Sequence, residues 1–169
     1  MDVFEGVRTM VAVRSFRSDP VPDDVLGRIV EAGRLTASSM NKQPWHFVVV
    51  REPDMIRELA GMATTGPYIA QAPLVIVVAM ERTPYALSDV SRAIQSMMLT
   101  AWADGIGSNW VGCAGMKKVG PALGIPVEFD VAAVLPFGYP VRPAKQGSKV
   151  RKPLAEIVHD ERFGRPFGG

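Results

Sequence analysis

The sequence predicts a single α+β domain in which helices cover one β-sheet. Several segments repeat apolar residues at three- and four-residue steps, which is the spacing of amphipathic helices. Between them lie short β-branched or continuous apolar runs, which are typical of strands with buried faces. No internal repeat or linker interrupts the 169 residues, so residues 1–169 are expected to form one domain.

The helices are predicted from their start signals, stop signals and apolar faces. Pro22, followed by two aspartates, is a good helix start because proline suits the first turn and carboxylates favour the positive end of the dipole. Ser88 or Asp89 is expected to cap the longest helix, which continues to about residue 103. Other helices are expected at 53–63 and 117–123. A short opening helix carries Val3, Val7, Met10 and Val11 on one face, and the helix after Pro22 has a buried stripe of Val25, Leu26, Ile29, Val30 and Gly33.

Strands are predicted at 45–50, 74–80 and 131–137, with a short extended stretch at 107–112. The run at 74–80 is apolar without interruption, which indicates a central strand buried on both faces. The segment after residue 141 is basic and proline-bearing, and is expected to be a loop. The sequence does not set the order of the strands in the sheet.

Composition excludes several classes of function. The 19 basic and 17 acidic residues give a net charge of +2, which creates no overall field toward nucleic acid or a membrane surface. The longest apolar run, 72–80, is far shorter than the roughly 20 residues of a membrane-spanning helix. The N-terminus lacks the pattern of a secretory signal, which predicts a cytoplasmic protein. One cysteine and two histidines predict no internal disulfide and no metal site.

Two basic clusters could bind an anion. Arg14, Ser15 and Arg17 offer two guanidinium groups and a hydroxyl, which suit a phosphate group. Lys149 and Arg151 are two residues apart in an extended segment, so their side chains are expected on the same side. Each cluster also has a simpler interpretation, as a solvated basic turn and an ordinary basic tail.

Two further segments carry groups suited to a planar polar ligand. Residues 37–45 concentrate hydroxyls and carboxamides before a strand, although a turn that caps its own backbone would use the same residues. Residues 105–113 place two glycines before Trp110 and one after it, which would let a ligand approach the main chain. A helix end followed by an edge strand is the alternative for this segment.

These segments together resemble the FMN-dependent nitroreductase family. The matching motifs are Arg-Ser-x-Arg at 14–17, Ser-Ser-x-Asn-x-Gln-Pro-Trp at 38–45, Gly-x-Gly-Ser-x-Trp-x-Gly at 105–112, and Arg-Lys-Pro-Leu at 151–154. Their order and spacing match as well, and the resemblance runs over residues 7–159. It implies a central mixed or antiparallel sheet covered by helices, and a homodimer with the long helix at its interface.

The resemblance also assigns the contacts of an FMN bound at that interface. Arg14, Ser15, Arg17, Lys149 and Arg151 would hold its phosphate and ribityl oxygens. The residues expected to reach the flavin bound mainly by the other subunit are Ala37, Ser38, Ser39 and Asn41. The residues expected to line the ring, with the Gly112 N–H near N5, are Trp110, Val111, Gly112 and Cys113.

The function implied is electron transfer from NADPH or NADH through flavin N5 to a small acceptor such as a nitroaromatic or quinone, with ping-pong kinetics. No catalytic side chain is expected, and Tyr68 or Trp110 could either stack over the pocket or pack in the protein. Three alternatives stay open. They are a flavin sensor without turnover, a flavin-fragmenting, dehalogenating or dehydrogenating relative, and a dimeric module without cofactor.

Two positions depart from the family pattern. Val13 stands where an arginine is common, and Ala37 where a proline is common. The first removes one cation, so FMN affinity is expected to be lower than in typical members. The chain also lacks the long insertion that shapes the substrate pocket of larger relatives, so neither the acceptor nor the nucleotide preference follows from the sequence.

Overall fold

The computed structural model describes residues 1–112, 116–142 and 149–168. Within these ranges, four strands form one sheet in the order β1-β2-β4-β3, and every neighbouring pair is antiparallel. The strands are β1 Trp45–Val50, β2 Leu74–Glu81, β3 Gly107–Ser108 and β4 Phe129–Gly138. The helices are α1 Val3–Thr9, α2 Asp23–Arg34, α3 Pro53–Met62, α4 Ala86–Ala103, α5 Met116–Ala122 and α6 Leu154–Ile157. The predicted α+β class is confirmed, and the homodimer stays a prediction.

Strand β2 is the centre of the sheet, as its uninterrupted apolar sequence predicts. It pairs with β1 on one side and β4 on the other, and its first six residues are buried. Alternate side chains of a strand point to opposite faces, so Ile76 and Val78 enter one core cluster and Val75 and Val77 enter the other. The sheet therefore separates two apolar cores.

Helices α2 and α4 cover one face of the sheet. The predicted stripe of α2 faces the core: Leu26, Ile29 and Gly33 are buried, and Val25 and Val30 are partly buried against the same cluster. Gly33 lies where α2 crosses the middle of α4. A Cβ atom added there would be 2.9 Å from the Met97 side chain and 2.9 Å from the Phe47 ring.

Replacing Gly33 with valine is therefore expected to lower the free energy of unfolding by about 1–3 kcal/mol, the usual penalty of an overpacked core. Urea unfolding measures this loss. Gly27→Val is the matched control, because Gly27 lies on the same helix and a Cβ there meets no atom within 4 Å. The control should gain about 0.4 kcal/mol from helix propensity. Equal effects at both positions would contradict the packing argument.

Several element ends differ from the sequence-based boundaries. Helix α1 ends at Thr9, and Val3 and Val7 of its predicted face are exposed. Helix α4 begins at Ala86, so Asp89 lies inside its first turn and is buried there instead of capping the helix. A four-residue helix, α6, interrupts the segment expected to be a loop. In the described part of the chain, no helix has the length and apolar character needed to cross a membrane.

Candidate functional site

The groove between residues 7–12 and the middle of α4, where Gln95 and Met98 lie, is named here the basic groove. It has a volume of about 810 Å³. Its polar lining comes from Arg8, Gln95, Asn109, Lys149 and Arg151, and its apolar lining from Val7, Met10, Val11, Ala12, Met98, Trp110 and Val150. Three residues predicted from distant segments, Trp110, Lys149 and Arg151, are thus brought together.

Positive charge is concentrated in this groove. The Lys149 ammonium group donates a hydrogen bond to the Val7 carbonyl oxygen at 2.5 Å. Burial, followed by the charges of Arg151 and Arg8, holds the pKa of Lys149 below its usual value. An anion in the groove would relieve this repulsion, because an opposite charge favours the ionised form of a lysine.

Arg8 is a cation of the groove that sequence reasoning missed. Its guanidinium forms two hydrogen bonds with the Glu5 carboxylate, at 2.9 and 2.8 Å, and this pairing raises the pKa of Arg8. A glutamate and an arginine three residues apart have the spacing of an ordinary surface pair on a helix. The sequence therefore carried no signal that Arg8 faces a groove.

A second cavity adjoins the basic groove and shares Val11 and Ala12 with it. We name it the Arg14 cavity, and its volume is about 380 Å³. Arg14 and Ser15 line it as one would expect for a phosphate site, and Arg142 lines it as well. Arg142 was not predicted, because it is a single arginine in a proline-bearing segment and forms no motif with its neighbours.

Val13 also lines this cavity, but its side chain is buried in the core. Its side chain is 8% exposed and lies against Gly107, where an added Cβ would be 2.5 Å from a Val13 methyl group. Its N–H donates to the Ser108 carbonyl oxygen at 2.9 Å. The cation that the family commonly has at this position is therefore replaced by packing against β3.

Arg17 is engaged with other groups. Its Nε lies 2.8 Å from an Asp19 carboxylate oxygen, and its guanidinium is 5.0 Å from the centre of the Tyr139 ring. Its main-chain N–H donates to the Tyr139 carbonyl oxygen at 2.8 Å. To bind a phosphate through Nε, Arg17 would have to exchange the Asp19 carboxylate for it.

The segment after β3 presents Trp110 and Gly112 while holding Val111 in the core. The Val111 N–H donates to Val134 at 3.1 Å, and the Val134 N–H donates back at 2.8 Å. Side chains alternate along an extended segment, so Val111 is buried while Trp110 lines the basic groove. Gly112 is exposed, and a Cβ there would collide with the Trp110 indole. Cys113 lies outside the described residues.

Asn109 and Tyr68 form a partly buried polar contact beside Trp110. The Asn109 amide donates a hydrogen bond to the Tyr68 hydroxyl. Tyr68 packs against the core cluster on the α3 side of the sheet, while Asn109 lines the basic groove. Tyr68 is therefore a packing aromatic that fixes a groove residue, which is one of the two roles expected for it.

The polar stretch before β1 folds into a tight turn, named here the Asn41 turn and comprising residues 38–43. The Asn41 N–H donates to the Ser38 carbonyl oxygen at 3.1 Å, and the Gln43 N–H donates to the Ser38 hydroxyl at 2.9 Å. Met40, Asn41 and Gln43 have φ values of 51°, 55° and 50°. Side chains other than asparagine rarely adopt this left-handed conformation, so the turn is strained.

Asp89 anchors this turn to helix α4. One carboxylate oxygen, Oδ1, accepts hydrogen bonds from the Ser39 N–H and hydroxyl, each at 3.0 Å, and pairs with Arg92. Burial disfavours the charged form of Asp89, but the two Ser39 bonds and the Arg92 charge outweigh it and lower its pKa. Asp89 is therefore a carboxylate at neutral pH.

The predicted turn residues lie apart from the two cavities. Within the described ranges, none of Ala37, Ser38, Ser39 and Asn41 lines the basic groove or the Arg14 cavity. Ala37 and Asn41 are exposed, and Ser38 and Ser39 are half-buried.

The described ranges contain no cluster of three or more histidine, cysteine, aspartate or glutamate side chains that could hold a metal ion.

Comparison with known proteins gives a consistent assignment. The sequence matches the model of the nitroreductase family over residues 7–65 and 62–139. A relative from Archaeoglobus fulgidus, provisionally named NADH dehydrogenase/NAD(P)H nitroreductase, is 33% identical over 79% of this chain and 83% of its own. An iodotyrosine deiodinase from Nematostella vectensis is 25% identical over 93% of this chain and 74% of its own. The solved structure of an FMN-dependent nitroreductase from Clostridium difficile superposes with a TM-score of 0.86, at 23% identity over 95% of this chain and 100% of that chain.

The family match covers well over half of the chain, and the chain therefore belongs to the nitroreductase family. It is an oxidoreductase of that family. The resemblance and the fold expected from the four motifs are both confirmed.

Proposed function

We propose that this chain binds FMN in the basic groove and the Arg14 cavity, and uses it to pass electrons from NAD(P)H to a small organic acceptor. The convergence of separate motifs carries the proposal. Two adjoining cavities are lined by five residues that the family resemblance assigns to FMN, namely Arg14, Ser15, Trp110, Lys149 and Arg151.

The lining of the cavities suits the parts of FMN. Guanidinium and ammonium groups are preferred partners of a phosphate, and Arg14, Lys149 and Arg151 supply three of them. The indole of Trp110 and the Met98 side chain give the groove an apolar wall beside these charges. A volume of about 810 Å³ lies within the range of about 300–1,000 Å³ that small-molecule sites occupy.

Bound FMN would supply the redox chemistry, so the protein's part is binding and orientation. The charges of Arg8, Lys149 and Arg151 favour an anionic ligand over a neutral one. Trp110 and Met98, which line one side of the groove, would exclude water there once a ligand is bound. Val111, paired with Val134, would keep Trp110 and Gly112 in place while the ligands exchange. None of these roles needs a general base.

The Asn41 turn has a place in the proposal only in a homodimer. Its residues line neither cavity of their own subunit, so they would reach the flavin held mainly by the partner subunit. The exposed side chain of Asn41 is available for this contact. FMN would then be enclosed between two copies of the chain.

An absorbance spectrum of the purified protein, with and without added FMN, tests the proposal. NADPH and NADH are then added separately under anaerobic conditions. Flavin bands that bleach would support the oxidoreductase and identify the electron donor. Bands that persist would favour a flavin-binding sensor, and a protein that takes up no flavin would point to a structural module.

Reductive dehalogenation is the second candidate, because an iodotyrosine deiodinase matches nearly the whole chain. The two activities differ in the acceptor and not in the flavin site. Iodide release from iodotyrosine by the reduced protein distinguishes them. A protein that reduces nitroaromatics and quinones but releases no iodide would exclude the second candidate.

Arg142 is expected to contribute to FMN binding in place of the arginine that Val13 replaces. Its side chain lines the same cavity as Arg14 and Ser15, so its charge is close to the proposed phosphate position. Arg142→Ala should weaken FMN binding threefold to tenfold, which corresponds to about 1 kcal/mol. Fluorescence titration of FMN measures this change.

Arg57→Ala is the control for Arg142→Ala, because Arg57 is an exposed arginine on α3 paired with Asp54. It should bind FMN like the wild type. If Arg142→Ala also matched the wild type, Arg142 would have no part in the phosphate site.

A further inference from the structure

We infer that Asp89 is a positioning residue for the flavin, acting through the Asn41 turn. The inference rests on the proposed function and adds a residue to it that contacts neither cavity. Asp89 lies on α4, 50 positions from Ser39, and is 1% exposed. Its role would be to hold the turn in the one conformation that presents Ser38 and Asn41 to the flavin.

The hydrogen bonds of Ser39 are the first observation. Both Ser39 donors, the N–H and the hydroxyl, point at Asp89 Oδ1 and not at solvent. The Ser38 hydroxyl accepts from Gln43, which leaves its own proton free, and the Asn41 amide is exposed. Ser39 therefore anchors the turn, while Ser38 and Asn41 are the residues able to contact a ligand.

The strain of the turn is the second observation. Met40 and Gln43 adopt positive φ values that such side chains avoid unless the surroundings enforce them. The internal hydrogen bonds of the turn connect its own residues, so they do not fix it relative to the rest of the protein. The bonds to Asp89 connect the turn to the buried face of α4 and therefore help to set its position.

The polar side chain of Asp89 is more than stability alone requires. Its second oxygen, Oδ2, is buried and receives no hydrogen bond from any described residue. A buried carboxylate with an unpaired oxygen is unfavourable, and an apolar residue could fill this place in the helix. In the structure, Oδ1 of this carboxylate accepts both Ser39 donors and pairs with Arg92.

A double-mutant cycle between Asp89 and Asn41 tests the inference. Apo protein is titrated with FMN for the wild type, Asp89→Ala, Asn41→Ala and the double variant. We expect Asp89→Ala to weaken FMN binding at least tenfold when Asn41 is present. When Asn41 is replaced by alanine, the same change should weaken binding less than threefold. Residues that act through one contact are not additive, whereas independent sites are.

Two controls separate positioning from folding. Asp89→Asn keeps an acceptor for Ser39 and should bind FMN within threefold of the wild type. Ser91→Ala lies on the same helix, where the Ser91 hydroxyl donates only to Leu87 in the structure, and should leave binding unchanged. FMN bound to Asp89→Ala should also show altered visible circular dichroism, because the groups around the ring have moved.

Ser39→Ala carries the same test if Asp89→Ala does not fold. It removes one donor to Asp89 and should weaken FMN binding about threefold with Asn41 present and not at all with Asn41→Ala. Equal losses in both backgrounds, or wild-type affinity in Asp89→Ala, would overturn the inference while leaving FMN binding by the wild type intact. A wild-type protein that does not bind FMN would overturn both the inference and the proposed function.

Discussion

Arg151→Ala is expected to weaken FMN binding at least tenfold, with little change in the free energy of unfolding. Arg151 lines the basic groove beside Lys149, and its side chain is exposed, so the core does not depend on it. A hydrogen bond between charged groups contributes about 1.5–3 kcal/mol, which corresponds to roughly 10- to 150-fold in affinity. The dissociation constant is measured by FMN fluorescence, and the stability by urea unfolding.

Lys152→Ala is the matched control for Arg151→Ala. Lys152 is the next residue along, is also a cation and is exposed, but it does not line the groove. Its removal should change FMN affinity less than twofold in low salt. Comparable losses in the two variants would mean that the tail attracts FMN by its overall charge, and the assignment of Arg151 to a phosphate contact would fail.

Gly112→Ala is expected to slow anaerobic flavin reduction about 100-fold, the size of effect that a displacement of about 1 Å can have on a bound reactant. The added Cβ would collide with the indole of Trp110 and lie 3.1 Å from the Ala132 carbonyl oxygen. Trp110 must then move within the groove whose wall it forms. Stopped-flow bleaching by the effective nucleotide measures the rate.

A second-site change isolates the cause of this effect. In a Trp110→Ala background the indole is absent, so Gly112→Ala should slow reduction less than fivefold further. Gly61→Ala controls for the loss of a glycine, because a Cβ at Gly61 meets no atom within 4 Å. If Gly112→Ala reduced its flavin at the wild-type rate, the collision with Trp110 would have no bearing on catalysis.

Local sequence patterns predicted most of the fold. The strand Trp45–Val50 has the predicted limits, because its β-branched and aromatic run is bounded by Pro44 on one side and the charged Arg51 on the other. The α2 helix begins at Asp23, directly after the proline that predicted it. The end of α1 and the start of α4 differ from the prediction, because exposed valines and a buried aspartate reverse the usual link between polarity and burial. The end of α4 at Ala103 agrees with it.

The lining of the candidate site was predictable where a motif carries several functional groups in a row. Arg14, Ser15, Trp110, Lys149 and Arg151 were all named from the sequence and line adjoining cavities. Arg8 and Arg142 were missed. Each is a single arginine in a segment without a motif, and only the folding of distant segments brings it beside the others.

The sequence by itself determined the α+β class, the central strand β2 and the family. These follow from local periodicity and from motifs of neighbouring residues that can be read without the structure. The tertiary structure alone decided the antiparallel order β1-β2-β4-β3, the burial of Val13 against Gly107, and the pairing of Asp89 with Ser39. These depend on contacts between residues far apart in the chain. Such contacts form only when both cores pack at once, so no local pattern records them.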